Sequence, residues 1–509
     1  MKTKNLRKII VTIGLCFLLA GMSPLQRSGL ANGSEIDFKA IDDYISTQMR
    51  ASRIPGLTLS IVKGNQVVYL KGYGRADPSG RAVTPQTSFA IESLTKSFTA
   101  LAVMQLVEAG KIQLDVPVQQ YLPWFRVADP VASAHITVRH LLNQTSSLPF
   151  VASSETMTWY DQDDMAIERH VRYLENVELN RPVGQSFAYV NANYNVLGMI
   201  VQSVSGQSYE EYVIEHIFTP LDMHSSFVSK DEAILHGMAM GYQWLLGFPI
   251  SSEVPWARGE LPAGGIISSA EDMAHYMIAQ LNGGRYREAT LLSPEGIDLM
   301  HDQPVPNTYA MGWYSEQLDG RRIIFSEGGY THFQSMVIMD PEEKVGVFVA
   351  INVMNFLDGT FKKPPTSAVT AESILSLVTN RPLPEQGIGI AQFNLKASLI
   401  MLVLTIATII SLVRIPIRYR RLVKRGMMSL SDIAWRTGLT LFANCVWSGA
   451  VLWATLFLTG WDILIALSPD IFYWLDTVAA INFLQGLFEV ALLWRAYRLT
   501  HQRLILQPA

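Results

Sequence analysis

The chain has 509 residues, is 49% hydrophobic and only 17% charged, and carries a net charge of −4. This length allows two or three domains, and the apolar composition predicts membrane-spanning segments. The charge does not favour nucleic-acid binding, so we expect no nucleic-acid partner. Both cysteines, Cys16 and Cys445, lie in strongly apolar stretches. The sequence between them has no thiol, which excludes a disulfide, a cysteine nucleophile or a thiolate metal site there.

The N-terminus has the pattern of a secretory signal. Four basic residues come first, namely Lys2, Lys4, Arg7 and Lys8. The apolar run from Ile9 to Ala20 follows them and is too short to cross a bilayer comfortably. Gly21 and Pro24 then interrupt any helix. We predict a signal peptide over residues 1–31, with an uncleaved anchor as the alternative.

Two segments share the spacing Ser-x-x-Lys, and their surroundings distinguish them. The first, GLTLSIVK at 56–63, alternates apolar and polar residues and is followed by a Gly-Asn turn and a further apolar run. This pattern predicts a β-hairpin with strands near 57–63 and 66–73. Residues three apart in a strand point to opposite faces of the sheet. Ser60 and Lys63 therefore cannot meet.

The second pair lies in IESLTKSFTA, at the start of a predicted helix. Apolar residues recur at helical spacing from Phe98 onward, and Gly110 is a suitable C-cap. Residues three apart share a helix face, so we expect Ser93 and Lys96 to be neighbours. In the first turn, the helix dipole should lower the pKa of the lysine and make it a better base. The alternative is a serine N-cap beside an exposed lysine.

A hydrolase with a lysine base needs further polar groups, and the segment GQSFAYVNANYNVLG at 184–198 supplies two. Tyr189 could transfer a proton beside the lysine, and Asn191 could hold a substrate carbonyl group. A turn or a core contact is the alternative for each of these residues.

The distribution of the predicted strands indicates the fold class. Further strands are predicted near 322–326, 334–340 and 345–352, while helical patterns fill most of 93–300. The two ends of this region should build one sheet around a helical insertion. We therefore predict an α/β domain and an α domain with the site between them.

The C-terminal quarter predicts a membrane anchor. After a linker at 381–392, three apolar runs near 393–413, 437–458 and 471–494 each have about the length of a bilayer-spanning helix. Arginine and lysine are concentrated in the loop 414–436 and after the third run, and they are absent between the second and third runs. By the positive-inside rule, that loop and the C-terminus should be cytoplasmic.

This topology agrees with the signal peptide, because both place the preceding domain outside. We therefore predict a multi-pass protein of a bacterial-type cytoplasmic membrane with the lipid bilayer as a partner. The domain at 36–380 should lie on the periplasmic or extracellular side.

Taken in order, the motifs of 36–380 resemble the serine β-lactamase and penicillin-binding-protein superfamily, in its class C-like branch. The motifs are FAIESLTKSFTALAVMQLVEAGKIQLDVPVQQYLP, ITVRHLLNQTSSLP, FAYVNANYNVLG, LPAGGIISSAEDMAHYM, YAMGW and FSEGGYTHFQSMVIMDPE. The resemblance implies an antiparallel sheet flanked by helices, with an all-α subdomain. The spans behind this domain also resemble those of membrane-bound periplasmic peptidases that mature peptide prodrugs by removing an acylated D-amino-acid cap.

The resemblance also implies roles for individual residues. Ser93 would be the acylated nucleophile, Lys96 its base or proton relay, and Tyr189 a second acid–base group. Asn191 would orient the substrate, and the backbone N–H groups of Ser93 and Gly329 would form the oxyanion hole. No metal and no organic cofactor is implied.

The third family motif departs from the usual pattern. Where the family has Lys or His, then Thr or Ser, then Gly, this chain has Ser326-Glu327-Gly328. In the family this segment helps bind a substrate carboxylate, which Glu327 would repel by roughly 1 kcal/mol or more. The sequence therefore favours a substrate that is neutral or cationic near the scissile bond, unless Glu327 points away from the cleft. Glu92, directly before Ser93, is a further departure.

These observations predict a membrane-anchored serine hydrolase that cleaves an amide or peptide bond through an acyl-enzyme on Ser93. We expect a small-molecule or peptide substrate that contains D-amino acids or is N-acylated. The alternatives are a β-lactamase, a D,D-carboxypeptidase, an esterase, or a catalytically weakened sensor.

Overall fold

A computed structural model describes residues 36–253, 256–301, 309–318, 320–330, 332–354, 358, 365–384, 390–425, 429–457 and 469–505. The predicted signal peptide lies outside the described residues. Strands come mainly from the two ends of the hydrolase-like region, and helices fill the middle, as the sequence predicts.

The strands in chain order are β1 (Gly56–Lys63), β2 (Gln66–Gly74), β3 (Phe89–Ala90), β4 (Tyr242–Leu245), β5 (Phe248–Ser251), β6 (Ile267–Ser268), β7 (Arg285–Tyr286), β8 (Ala289–Thr290), β9 (Tyr309–Ala310), β10 (Trp313–Leu318), β11 (Arg321–Gly329), β12 (Gln334–Asp340), β13 (Val345–Ile351) and β14 (Val353–Met354). Seven of them form one antiparallel sheet in the order β2-β1-β13-β12-β11-β10-β9. The remaining strands form small sheets, in which β4 pairs with β5 and β14.

The helices in chain order are α1 (Phe38–Ser52), α2 (Thr95–Glu108), α3 (Pro130–Ser133), α4 (Val138–Leu142), α5 (Val151–Ser154), α6 (Ala166–Tyr173), α7 (Asn191–Ser205), α8 (Tyr209–Val213), α9 (Lys230–Leu235), α10 (Leu261–Gly264), α11 (Ala270–Leu281), α12 (Pro294–His301), α13 (Thr366–Val378), α14 (Ile390–Arg425), α15 (Leu430–Leu441), α16 (Trp447–Phe457) and α17 (Pro469–Ile505).

The central strands are covered on both faces. All seven residues of β12 and of β13 are buried, so a two-residue period in polarity is absent from them. Helix α11 packs against β1 and β13, while α13 packs against β12 and β13. The predicted class of an antiparallel sheet flanked by helices, with a helical subdomain, is confirmed.

Helix α2 lies between the sheet and the helical subdomain. Its composition is largely apolar, and ten of the eleven residues from Thr95 to Gln105 are buried. A helix of this composition is stable only inside a protein core. Phe98 stacks on Tyr276 of α11 with ring centroids 4.0 Å apart. The N-terminal turn of α2 is therefore held in place by the core.

The C-terminal region differs in part from the sequence prediction. Among the described residues, two helices are long and apolar enough to cross a membrane, Gln392–Lys424 and Pro469–Leu499. They correspond to the first and third predicted spans. The middle span is not confirmed, because a π-helical segment at Phe442–Val446 separates α15 from α16. Helix α14 begins at Ile390, inside the segment predicted as a linker.

Helix α7 packs very closely on α10, and this contact gives a prediction for stability. A Cβ added at Gly198 would lie 2.3 Å from Pro262 Cγ. Alanine normally stabilises a helix relative to glycine, but Gly198→Ala should lower the free energy of unfolding by about 1–3 kcal/mol through overpacking. Thermal unfolding of the full chain would measure this. Gly438→Ala is the control, because a Cβ there meets nothing within 4 Å; equal effects of the two substitutions would contradict the prediction.

Candidate active site

Ser93 and Lys96 lie side by side at the start of α2. Residues Glu92–Leu94 form a 3-10 turn that leads directly into the helix. Lys96 Nζ donates hydrogen bonds to Ser93 Oγ at 3.0 Å and to the Ala263 carbonyl oxygen at 2.6 Å. Ser93 is half-buried, whereas Lys96 is only 1% exposed. The lysine is therefore not the exposed side chain of the alternative interpretation.

Burial makes Lys96 a suitable base at neutral pH. Desolvation lowers the pKa of Lys96 to about 7, and the negative charges of Glu260 and Glu92 oppose part of this shift. A neutral amine can accept the proton of a serine hydroxyl, which a charged ammonium group cannot do.

Tyr189 reaches this pair from a distant part of the chain. Its ring centroid lies 4.8 Å from Lys96 Nζ. The ring is 36% exposed, but desolvation around the hydroxyl group raises the Tyr189 pKa well above its ordinary value. Nearby Tyr309, Tyr314 and Glu327 act in the same direction, while a hydrogen bond with Ser93 opposes them. Tyr189 therefore keeps its proton at neutral pH and can donate it.

The other Ser-x-x-Lys pair has no such arrangement. Ser60 is buried in β1, and Lys63 is exposed at the end of the same strand. Their side chains point to opposite faces, as the predicted hairpin requires.

Glu260 contacts Asn191 and raises the pKa of Lys96 through its charge, and sequence reasoning missed it. The carboxylate accepts hydrogen bonds from Asn191 Nδ2 at 3.1 Å and Asn195 Nδ2 at 2.9 Å. Thr156 Oγ1 donates to Glu260 Oε1 at 3.2 Å, and His170 Nδ1 also lies 3.2 Å from Glu260 Oε1. Glu260 directly precedes the segment that supplies the Ala263 carbonyl. The motif LPAGGIISSAEDMAHYM begins one residue after Glu260, and this position next to a family motif could have identified Glu260 as a site residue.

Glu92 adopts an unusual backbone conformation immediately before the nucleophile. Its φ of 54° lies in the left-handed region, which costs a residue other than glycine about 1–3 kcal/mol. Burial raises the pKa of its carboxyl group to about 8, and Lys96 and Lys230 oppose this shift. A protonated Glu92 attracts the charged form of Lys96 less than a carboxylate would.

The end of β11 passes very close to the nucleophile turn. A Cβ at Gly328 would lie 2.0 Å from the Ile91 carbonyl oxygen and 2.9 Å from Ser93 N, so only glycine fits there. Ser335 Oγ, on β12, donates to the same Ile91 oxygen at 2.6 Å. These contacts bring the predicted oxyanion residues Ser93 and Gly329 to one cleft.

This cleft has a volume of about 700 Å³ and begins at Ser93. Its lining is mainly apolar beyond the polar groups near the serine. The side chains that line it include Tyr189, Tyr314, Glu316, Phe325, Glu327, Met336 and Glu372. Lysine and arginine are absent from the lining, as far as the described residues define it. The cleft is therefore acidic and apolar.

The third motif divides between the two faces of β11. Glu327 lines the cleft beside Tyr189, together with the backbone of Gly328 and Gly329. Ser326 is 2% exposed and is not among the residues that line the cleft. Within the described residues, the pairing of β10 with β11 reaches Phe325, while Ser326–Gly329 continue to pair with β12 on the other side.

Among the described residues, no group of three or more His, Cys, Asp or Glu side chains is arranged to hold a metal ion. The described cysteine, Cys445, is unpaired and lies in the C-terminal helical region.

The chain matches known proteins over the region that contains this site. A family model described as Beta-lactamase matches residues 41–371. Protein flp from Staphylococcus aureus (strain MW2) is 30% identical over 327 residues, which cover 64% of this chain and 64% of that protein. The chain thus spans just under two thirds of that relative. Penicillin-binding protein 4 from Amycolatopsis lactamdurans is 30% identical over 256 residues, which are 49% of this chain and 66% of that protein.

Solved structures agree with the fold. The octameric penicillin-binding protein homologue from Pyrococcus abyssi matches with a TM-score of 0.59 and 27% identity, over 68% of this chain and 78% of that one. FmtA from Staphylococcus aureus matches with a TM-score of 0.55 and 23% identity, over 72% of this chain and 95% of that one. The second likeness concerns the fold alone. The predicted resemblance is confirmed at the level of the superfamily.

The electrostatics of Lys96 lead to a prediction for pH dependence. Covalent modification of Ser93 should increase with pH through a midpoint near 7, because the neutral amine is the base. Glu260→Gln removes a charge that stabilises the ammonium form, so it should lower this midpoint by roughly 0.5–1 pH unit. Rates of fluorophosphonate labelling between pH 5 and 9 would measure it. The exposed Glu178→Gln is the control, and an unchanged or raised midpoint in Glu260→Gln would contradict the prediction.

Proposed function

Because the chain belongs to the beta-lactamase family, we propose that it is a serine hydrolase that cleaves an amide bond through an acyl-enzyme on Ser93. The observation that carries this proposal is the buried Lys96 amine at 3.0 Å from Ser93 Oγ, with its pKa near neutrality. The family is typically one of serine hydrolases, and the arrangement of these side chains agrees with that chemistry.

The proposed reaction has two steps. Ser93 Oγ attacks the substrate carbonyl carbon while its proton passes to Lys96 Nζ, and the N–H groups of Ser93 and Gly329 stabilise the oxyanion. The C–N bond then breaks, and the leaving amine takes up a proton that Tyr189 or Lys96 supplies. Water then attacks the acyl carbon and gives a proton to Lys96 or Tyr189. The bond between that carbon and Ser93 Oγ breaks, Ser93 Oγ takes up the proton, and the carboxylic acid leaves.

The charge of the cleft supports a substrate that is neutral or cationic near the scissile bond. Glu327 and Glu316 line the cleft, and no basic side chain of its described lining offsets them. Glu327, Gly328 and Gly329 of β11 line the cleft, so an extended peptide in the cleft would lie alongside this strand. We therefore favour a peptide or N-acylated peptide, including one with D-amino acids, over a β-lactam or D-alanyl-D-alanine.

The same proposal places the enzyme at a membrane. Helices α14 and α17 would anchor it, and the positive-inside rule would place the hydrolase domain on the periplasmic or extracellular side. Access to the cleft would then be limited to substrates on that side.

The nucleophile assignment can be tested with a paired substitution. Ser93→Ala should abolish both turnover and covalent labelling by a fluorophosphonate, because it removes the hydroxyl group to which the buried Lys96 donates a hydrogen bond. Ser60→Ala, in the second Ser-x-x-Lys segment, should leave labelling unchanged within twofold. Intact mass after labelling would give the stoichiometry. Full labelling of the Ser93→Ala protein would refute the assignment.

The role of Glu327 gives a prediction for specificity. Glu327→Gln removes a negative charge from the cleft, so it should raise kcat/KM for a substrate with a carboxylate near the scissile bond by roughly fivefold or more. The matched amide without the carboxylate should change by less than twofold. Glu343→Gln, at an exposed site on the turn after β12, is the control. Equal changes for both substrates would show that Glu327 does not select charge.

A second candidate is a membrane-tethered sensor that acylates but hydrolyses slowly, and the altered third motif favours it. Intact-mass measurement of the acyl adduct over time separates the two functions. Decay of the adduct with release of acid supports a hydrolase, and an adduct that persists supports a sensor.

A further inference from the structure

The hairpin formed by β4 and β5 carries exposed apolar side chains. Leu246, Phe248 and Ile250 are 48%, 56% and 51% exposed, and they alternate along the turn and β5. On β4, Trp244 is fully buried and donates from Nε1 to the Ser52 carbonyl oxygen at 3.0 Å. The hairpin is therefore firmly attached to the hydrolase domain, and its tip projects from it.

This tip lies next to both candidate spans. Leu246 N donates to Asp470 Oδ2 at 2.8 Å, and Asp470 is the second residue of α17. Helix α14 packs against α1 and β4. The three apolar side chains are thus continuous with the ends of the helices that are long and apolar enough to cross a membrane.

The side chain of Arg53 adds a positive charge beside these apolar residues. The Arg53 guanidinium lies 4.4 Å from the centroid of the Phe248 ring and donates to the Gly247 carbonyl oxygen at 2.8 Å. Arg53 itself is exposed. Apolar side chains beside an exposed cation match the boundary between lipid acyl chains and phosphate groups.

We propose that the β4–β5 hairpin inserts Leu246, Phe248 and Ile250 into the lipid leaflet adjoining the hydrolase domain, with Arg53 at the level of the lipid phosphates. The occupant of this surface is lipid because the hairpin contacts the first turn of a span, where the bilayer interface begins. The hairpin is a third membrane contact besides α14 and α17. It fixes the tilt of the domain, and hence the height of the catalytic cleft above the membrane.

Spin labels on the full chain in lipid nanodiscs would test this. The starting protein is a cysteine-free variant in which Cys16 and Cys445 are replaced by serine. Single cysteines for labelling are then introduced as Phe248→Cys and Ile250→Cys. Leu484→Cys, in the middle of α17 and 64% exposed, is the reference for embedding. Val131→Cys, 67% exposed on α3, is the reference for water.

Oxygen concentrates in the bilayer, whereas the nickel chelate Ni-EDDA stays in water. The ratio of relaxation by oxygen to relaxation by Ni-EDDA should be several-fold higher at positions 248 and 250 than at Val131→Cys, and should approach that at Leu484→Cys. Ratios at 248 and 250 equal to that at 131 would overturn the proposal. Spin–spin broadening at 248 would assign the surface to a second copy and overturn it, as would a water-exposed label at 484. None of these outcomes depends on hydrolase activity.

Discussion

The burial of one amine is the constraint on which the proposed chemistry of this molecule depends. Lys96 Nζ lies inside the protein between Ser93 Oγ and the Ala263 carbonyl oxygen. A fall of its pKa from 10.5 to about 7 corresponds to roughly 4–5 kcal/mol in favour of the neutral amine. The surrounding core maintains this state, because α2 is apolar on nearly every side and excludes water from its first turn.

The carboxylates around Lys96 are arranged so that their charges do not cancel the lowering of its pKa. Glu92 is partly buried, and desolvation raises its pKa to about 8, which leaves much of it protonated at neutral pH. The carboxylate of Glu260 accepts hydrogen bonds from Asn191, Asn195 and Thr156, which compensate its charge. Glu327 faces the substrate cleft rather than the amine. In the proposed mechanism, these negative charges lie close enough to the cleft to influence which substrates bind, while Lys96 remains able to act as a base.

The structure also relates the cleft to the C-terminal helices. The hairpin between β4 and β5 contacts the start of α17, and the same region of the domain packs against α14. The domain is thus joined to these helices by folded contacts as well as by the chain itself. A rigid connection of this kind would present the cleft at a constant orientation to substrates on one side of a membrane.

Local sequence patterns determined much of this protein. The hairpin at 56–74, the strands at 334–340 and 345–351, and the helix that makes Ser93 and Lys96 neighbours all follow from residue periodicity, since contacts within an element depend on nearby residues. The predicted strand at 322–326 ended one residue before Glu327, so the sequence left open whether this side chain meets the cleft. Tertiary packing alone decided that Glu327 lines the cleft, that Glu260 accepts a hydrogen bond from Asn191, and that Gly328 must lack a side chain. Those contacts join segments far apart in the chain, and their distances depend on how whole elements pack, which no local pattern encodes.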